Sequence, residues 1–380
     1  MDVRLSDEQT EIARQARRFF EKECPMEYVR AMAEDERGIT EEVWNGMAEM
    51  GWMAMRLPEA YGGLGMEMMD MAVLMEEMGR AVLPGSFFST VLLAAEIVME
   101  GGSEEQKERY LSRIARGELR GTLALLEPVS GADLDYVRMS AEPNGDGFLV
   151  YGTKMFVPDL LGADFVLLAT RIDDGRDPGR AITLFLIDLD REGVSVSPLP
   201  TLDATRKLGV LELDAVKVGL DEMLGEPHLG WIALRAALQR GQVALGAECV
   251  GGAERVMEIA ADYAKIRVQF DQPIGAYQAV KHRCAKMFQD VESGRSLMYW
   301  SAWAQDNADA EEAVLAASSA KSYCSEVFRE VSASAMQVLG GTGFSWEHDI
   351  HFYLKRAKAN EVALGDPIYH REQIALILGG

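Results

Sequence analysis

Ile266-Arg267-Val268-Gln269-Phe270-Asp271-Gln272-Pro273-Ile274-Gly275 is the break that decides the architecture of this 380-residue chain. Proline and glycine interrupt helices, and this break parts two long stretches of helical character, Trp231 to Ile266 and Ala276 to Gln305. A third runs from about Glu311 to Val338. Helices of this length laid side by side predict a bundle that packs both internally and against copies of itself.

Toward the N-terminus the pattern changes. Between about Gly121 and Pro227 the apolar period falls to two, and Phe148-Leu149-Val150-Tyr151, Phe165-Val166-Leu167-Leu168-Ala169, Ile182-Thr183-Leu184-Phe185-Leu186-Ile187, Val194-Ser195-Val196 and Val210-Leu211-Glu212-Leu213 read as strands. Asn144-Gly145-Asp146-Gly147 is a hairpin turn signal. The strands follow one another without helices between them, so an antiparallel sheet is expected. Up to about Gly117 the period is helical again. Ser6-Asp7-Glu8-Gln9 opens one helix, Glu41 to Met50 forms another, and Pro58-Glu59-Ala60-Tyr61-Gly62-Gly63-Leu64-Gly65 is a break. Met71 to Gly79 and Val91 to Met99 follow, and Ser103-Glu104-Glu105-Gln106 is a capping box. The expected class is α+β: an N-terminal α-helical domain over 1–120, a middle antiparallel β domain over 121–227, and a C-terminal four-helix bundle over 228–380.

Composition narrows the function. At 48% hydrophobic and 26% charged residues the chain has the balance of a soluble globular protein. No apolar run reaches the roughly 20 residues of a membrane span. Met1-Asp2-Val3-Arg4-Leu5-Ser6 lacks the basic and apolar parts of a secretory signal, so a cytoplasmic location is expected. A formal charge of −23 argues against a nucleic-acid partner. It leaves room for an anionic ligand, because basic residues can be concentrated locally. Cys24, Cys249, Cys284 and Cys324 have no metal-ligand spacing, so no metal site is expected and the thiols read as free in a reducing compartment. Met66, Met68, Met69, Met71, Met75 and Met78 read first as core packing and second as the lining of a pocket for a bulky ligand. Gly340-Gly341-Thr342-Gly343 follows a helix and lies in no βαβ unit, which argues against a Rossmann site.

Three motifs carry a resemblance. They are Leu126-Glu127-Pro128-Val129-Ser130-Gly131-Ala132-Asp133, the opening Ile266–Gly275 stretch with Gln278-Ala279-Val280-Lys281-His282 after it, and Gln337-Val338-Leu339-Gly340-Gly341. Their order and spacing resemble the acyl-CoA dehydrogenase family over essentially the whole chain, and within it the heteromeric, steroid-type members that lack the catalytic glutamate. The resemblance implies an oxidoreductase of lipid metabolism that uses FAD. It implies an acyl-CoA thioester as substrate, α,β-dehydrogenation as reaction, and an electron-transfer flavoprotein as partner.

In such proteins the sheet domain of one subunit grips the flavin ring while the C-terminal bundle of its neighbour holds the adenosine diphosphate end. By position, Arg267, Gln269, Phe270, Gln337, Gly340 and Gly341 fall to the second task, and Gly131 and Phe156 to the first. The chemistry agrees: Arg267 offers a planar fork of donors to phosphate, Phe270 an apolar ring, and the glycines open backbone. The ring side is poorly kept. Leu126 stands where the family has a hydroxyl, and Val129 and Ala132 replace a glycine and a serine. Met155-Phe156-Val157-Pro158 replaces methionine-tryptophan-isoleucine-threonine, and Pro158 has neither hydroxyl nor backbone N–H to offer.

The base is missing as well. The family's carboxylate before a glycine falls on Leu364, which cannot accept a proton. The alternative position on the first long helix of the bundle falls on Gly241. Glu361 is a candidate for a displaced base, and Glu248, two turns beyond Gly241, a second. Asp366 and Ile368 replace a threonine and a glutamine, and Pro367-Ile368-Tyr369-His370-Arg371 reads as a tight turn opening the last helix. The losses are patterned, so the expectation is a non-catalytic subunit of a heterotetramer, with a second family subunit supplying base and ring pocket. Bulky CoA thioesters such as steroid side chains are the implied substrates of such assemblies, and steroid degradation the implied setting. The alternatives are a self-sufficient homotetrameric dehydrogenase with a displaced base, a flavin-dependent monooxygenase or nitrososynthase on the same fold, and a plain scaffold that binds no flavin.

Overall fold

The computed structural model describes residues 4–129, 137–172 and 181–379. Six helices come first: α1 (Asp7–Glu23), α2 (Met26–Glu34), α3 (Glu41–Glu49), α4 (Met68–Arg80), α5 (Ala95–Gly101) and α6 (Glu104–Ala115). A π-helical stretch, Phe88–Ala94, leads into α5. Eight strands follow: β1 (Gly121–Ala124), β2 (Ala141–Asn144), β3 (Gly147–Pro158), β4 (Phe165–Arg171), β5 (Ile182–Asp188), β6 (Val194–Leu199), β7 (Leu208–Gly219) and β8 (Met223–Leu224). The remainder is α7 (Gly230–Ile266), β9 (Val268–Gln269), β10 (Gln272–Pro273), α8 (Gln278–Asn307), α9 (Ala310–Leu339), α10 (Ile350–Val362) and α11 (Pro367–Gly379). Among the described residues no helix is long and apolar enough to cross a membrane.

These elements gather into two compact units, one of Met1–Arg30, Glu67–Leu83 and Gln242–Gly380, the other of Ala31–Met66 and Pro84–Gly241. In the second unit the strands form two four-stranded sheets, ordered β1-β4-β5-β8 and β2-β3-β7-β6. Both contribute to one core through Val150, Val157, Val166, Leu168, Phe185, Ile187, Leu211 and Leu213. The anticipated hairpin is present, with Asn144 facing Gly147 across a two-residue loop in which Gly145 has φ +65°. All pairings but one within these sheets are antiparallel. The exception corrects the purely antiparallel expectation: β1 pairs with β4 in parallel. The β2–β3 hairpin lies between those strands in sequence and gives the chain length to return in the same direction.

In the first unit α9 packs against α8, α10 and α11. The start of α1 is closed as its sequence indicates, Gln9 N–H donating to Ser6 Oγ at 3.1 Å and Ser6 N–H to Gln9 Oε1 at 3.0 Å. Helices α4 and α7 approach until their backbones touch. A Cβ at Gly79 would lie 2.0 Å from the carbonyl oxygen of Glu248, and one at Gly251 would lie 1.8 Å from that of Glu76. No other residue type fits there, and the close crossing brings charged side chains of both helices into a buried network. Arg295 joins it, donating to Glu76 at 2.9 Å and Glu254 at 2.8 Å.

Candidate active site and cofactor-binding elements

The position before the glycine, Leu364, lies in the turn between α10 and α11. Its backbone is left-handed (φ +55°), as is that of Gly365 (φ +98°). A leucine in that region costs about 1 kcal/mol or more, so something must hold it. Three side chains do. Gln242 Nε2 donates to the Leu364 carbonyl at 3.4 Å, and His370 Nε2 lies 3.0 Å from the same oxygen. Lys321 Nζ donates to the carbonyls of Glu361 at 3.1 Å and Gly365 at 2.7 Å. Asp366 then opens α11 by accepting from Tyr369 N–H at 2.8 Å, so the expected turn into the last helix is present.

Burial shapes the titration of both clamps. It pulls the His370 imidazole down to about 4, with the Lys321 charge acting in the same direction. The ring is therefore neutral near pH 7, and its Nε2 carries the proton that Leu364 accepts. Burial likewise draws the Lys321 ammonium down to about 8. Both side chains are fully buried.

No carboxylate stands at either of the two positions expected to carry a base. Leu364 is a half-buried hydrocarbon and Gly241 is buried in α7. Gln242, the next residue in α7, donates to the Leu364 carbonyl. Glu361 is engaged: Arg329 Nε donates to it at 2.7 Å, and Lys358 Nζ lies 3.6 Å from its other oxygen. Glu248 is 2% exposed and paired with Arg356, which is 1% exposed and also donates to the Leu83 carbonyl at 3.2 Å.

The adenosine-end candidates occupy two places in the same unit. Arg267, Gln269 and Phe270 lie where α7 gives way to the β9–β10 hairpin, whose two-residue turn is Phe270 (φ +52°) and Asp271 (φ +66°). Two left-handed residues make the turn that Asn-Gly fills best. A phenylalanine there is displayed, 88% exposed, its ring meeting Tyr277 edge-on at 6.5 Å. Tyr277 steadies the hairpin by donating its hydroxyl to the Gln269 carbonyl at 3.0 Å. Arg267 is exposed, and among the described residues its guanidinium has no ion-pair partner. Gln337, Gly340 and Gly341 lie at the end of α9. A Cβ on either glycine would meet nothing within 4 Å, and Gly340 has φ +62°. The backbone there is open on the outside, which suits a ligand approaching the amides. No hydrogen bond or ion pair among the described residues joins the two groups.

The ring-side candidates belong to the other unit. Gly131 lies outside the described residues. Phe156 sits where the β3–β7 register shifts between Lys154 and Val157, with φ +55° and 47% exposure. A bulge with a left-handed aromatic is a way of turning a ring out of a sheet. Met155 N–H donates to the Leu126 carbonyl at 2.8 Å, which uses the backbone of the residue whose side chain offers no hydroxyl. The Pro158 carbonyl accepts from Thr122 at 2.5 Å. Glu127 is structural: one of its oxygens accepts from Arg138 N–H and Met139 N–H, each at 2.9 Å, and from the buried Lys154 at 2.7 Å. Burial raises the Glu127 carboxyl, but the Lys154 charge and these hydrogen bonds outweigh it and hold the group below its usual range.

Lys321 is not marked out in the sequence, and His370 reads there only as part of the turn that opens the last helix. The available signal was Lys321 itself, a lone charge after Ala316-Ala317-Ser318-Ser319-Ala320 on a helix with small residues around it.

Comparison with known proteins covers nearly the whole chain. Residues 6–118, 122–218 and 228–378 match the N-terminal, middle and C-terminal domains of acyl-CoA dehydrogenase. The chain is 30% identical to the caffeyl-CoA reductase–Etf complex subunit CarC of Acetobacterium woodii, over 91% of each chain. Among solved structures it is similar to butyryl-CoA dehydrogenase from Megasphaera elsdenii, with TM-score 0.92, 26% identity and full coverage of both chains. It is also similar to a steroid ACAD whose designation pairs Tcur3481 with Tcur3483, with TM-score 0.87, 31% identity and 98% coverage of each.

Proposed function

The chain belongs to the acyl-CoA dehydrogenase family, and from that membership we propose that it is the non-catalytic subunit of a heteromeric, FAD-dependent acyl-CoA dehydrogenase. The observation that carries the proposal is the absence of an available carboxylate at three positions: Leu364 is a hydrocarbon, Gly241 has no side chain, and Glu361 is bound to Arg329 at 2.7 Å. α-Proton removal needs a lone pair in a dry site. The self-sufficient alternative requires Glu361 to leave that ion pair.

FAD, when bound, supplies the acceptor for the hydride that leaves the β-carbon. This chain's contribution is to binding. Arg267 would neutralise pyrophosphate charge, the amides around Gly340 and Gly341 would donate to it, Gln337 and Gln269 would add polar contacts, and Phe270 would cover an apolar face. All six are exposed or half-exposed, as groups serving a neighbour's cofactor should be. Phe156 would pack on a ring in this chain's own sheet unit, but Leu126 and Pro158 offer that ring no side-chain donor. A second family subunit would provide base and ring pocket, in an α2β2 tetramer. The likeness to the steroid ACAD supports a bulky acyl-CoA as substrate, and the likeness to an Etf-complex subunit supports an electron-transfer flavoprotein as acceptor.

The test is acyl-CoA-dependent reduction of an artificial electron acceptor. The chain alone should show none, and the co-expressed pair should show turnover. Sustained turnover by the chain alone would refute the proposal.

A further inference from the structure

From Pro273 to Gln289 the chain carries Lys281, His282, Arg283 and Lys286 and no acidic residue, although acidic residues outnumber basic ones by 61 to 38 over its whole length. Gln278 to Gln289 forms the first turns of α8, where all four basic side chains are exposed and Phe288 is 58% exposed. In so acidic a protein a cation readily meets a carboxylate, as Lys265, Arg295, Arg329 and Arg371 do in the same unit. Among the described residues Lys281, His282 and Arg283 have no ion-pair partner. Lys286 pairs with Asp290, one turn on.

The face is shaped as well as charged. A cleft of about 380 Å³ lies between α8 and α9, lined by His282, Arg283, Lys286 and Met287 from the first helix and by Glu330 and Val331 from the second. Met287 and Val331 are almost wholly buried, so they form its floor, while the basic side chains stand at its rim. Glu330 is exposed and accepts from Arg329 at 3.4 Å. A charged stretch that only met water would need neither the cleft nor the exposed ring beside it.

Such a face pairs poorly with itself. A two-fold axis brings the same patch of two copies together, which here would set Lys281, Arg283 and Lys286 against their own likes. The face complements a different surface, one that carries carboxylates and an apolar side chain for the cleft. It also continues from the β9–β10 hairpin, whose Arg267, Gln269 and Phe270 are the groups assigned above to a neighbour's cofactor.

We propose that the first half of α8 docks the second family subunit, and that the segment it takes is acidic. A carboxylate would meet Arg283 beside His282, and an apolar side chain would cover Met287 and Val331. The excess of positive charge selects that subunit over a second copy of this chain. The inference rests on the heteromeric reading above.

The test is the dissociation constant of the co-expressed pair, measured by sedimentation with saturating FAD, from about 0.1 M to about 1 M sodium chloride. That change shortens the screening length from about 10 Å to about 3 Å. The wild-type pair should weaken about tenfold or more. Arg283→Glu should weaken it about tenfold at the lower salt and flatten its response to salt. The urea midpoint of the chain should not move, since Arg283 has no ion-pair partner within it. Lys281→Glu should act in the same way, which keeps the test open if Arg283→Glu does not fold, and Arg283→Lys should keep most of the affinity. A pair that forms without regard to salt or to either reversal overturns the inference and leaves the subunit assignment standing. Self-association of the chain alone that Arg283→Glu abolishes would make a second copy the occupant, and overturns it too. Sustained turnover by the chain alone overturns this inference and the subunit assignment together.

Discussion

Gln242 donates its side-chain amide to the carbonyl oxygen of Leu364 at 3.4 Å. That bond ties α7, at Gln242, to the turn that carries Leu364, a residue with no carboxylate to offer. The bond is to backbone, so it survives whatever side chain stands at 364.

Glu361→Gln in the active assembly should leave turnover within about twofold, because the carboxylate serves Arg329 and not a substrate. The loss of a partly exposed ion pair should cost no more than about 1 kcal/mol. Steady-state kinetics and denaturant unfolding read the two effects. A drop of a hundredfold or more in turnover would restore Glu361 as the base.

His370 should make the protein acid-sensitive. Its folded value of about 4 lies below the ordinary 6.5. The native state therefore holds fewer protons than the unfolded chain in that window, and stability present above pH 6.5 drains away as the pH falls toward 4. The full loss is about 3 kcal/mol. His370→Gln keeps a donor for Leu364 and should flatten this slope in urea titrations between pH 4 and 7.

Lys321 has the same sign in an alkaline window. Its folded value of about 8 is below the ordinary 10.5, so its contribution is complete above pH 10.5 and lost as the pH falls to 8. Wild type should gain about 3 kcal/mol relative to Lys321→Met over that rise. The readout is the difference between the two proteins' urea midpoints, which cancels titrations common to both.

Arg356→Ala should cost about 3–5 kcal/mol, because it removes the guanidinium that faces the buried Glu248 carboxylate. Replacing both Arg356 and Glu248 by leucine should cost less than either single alanine change. Equal costs would mean that the pair matters through packing and not through charge.

Phe270→Asn should separate folding from binding. Asparagine suits the left-handed turn and removes an exposed ring, so the chain should be as stable or gain about 1 kcal/mol. FAD retention by the assembly should fall. Unfolding midpoints and flavin absorbance measure the two sides, and unchanged retention would remove Phe270 from the cofactor site.

Much of this was legible in the sequence for local reasons. Capping residues at Ser6 and Ser103, the turn at Asn144–Gly147 and the break at Ile266–Gly275 each act over a few positions, and the structure forms each one. The parallel β1–β4 pairing was not legible, since it depends on where an intervening hairpin lets the chain return. The Lys321–His370 clamp was hidden for the same reason: Lys321 is 49 residues from His370 in sequence, and only packing of α9 against α11 brings them to one turn. That the Leu364 side chain cannot accept a proton, in contrast, needs no structure, because a hydrocarbon side chain has no lone pair in any fold.

The most direct test of the subunit assignment is the ratio of FAD to chain, by absorbance, in protein purified alone and in protein purified with its partner. The account predicts a ratio near zero alone, in folded protein, with flavin regained in the joint assembly and lost again when this chain carries Arg267→Ala. A ratio near one for the chain alone would contradict it.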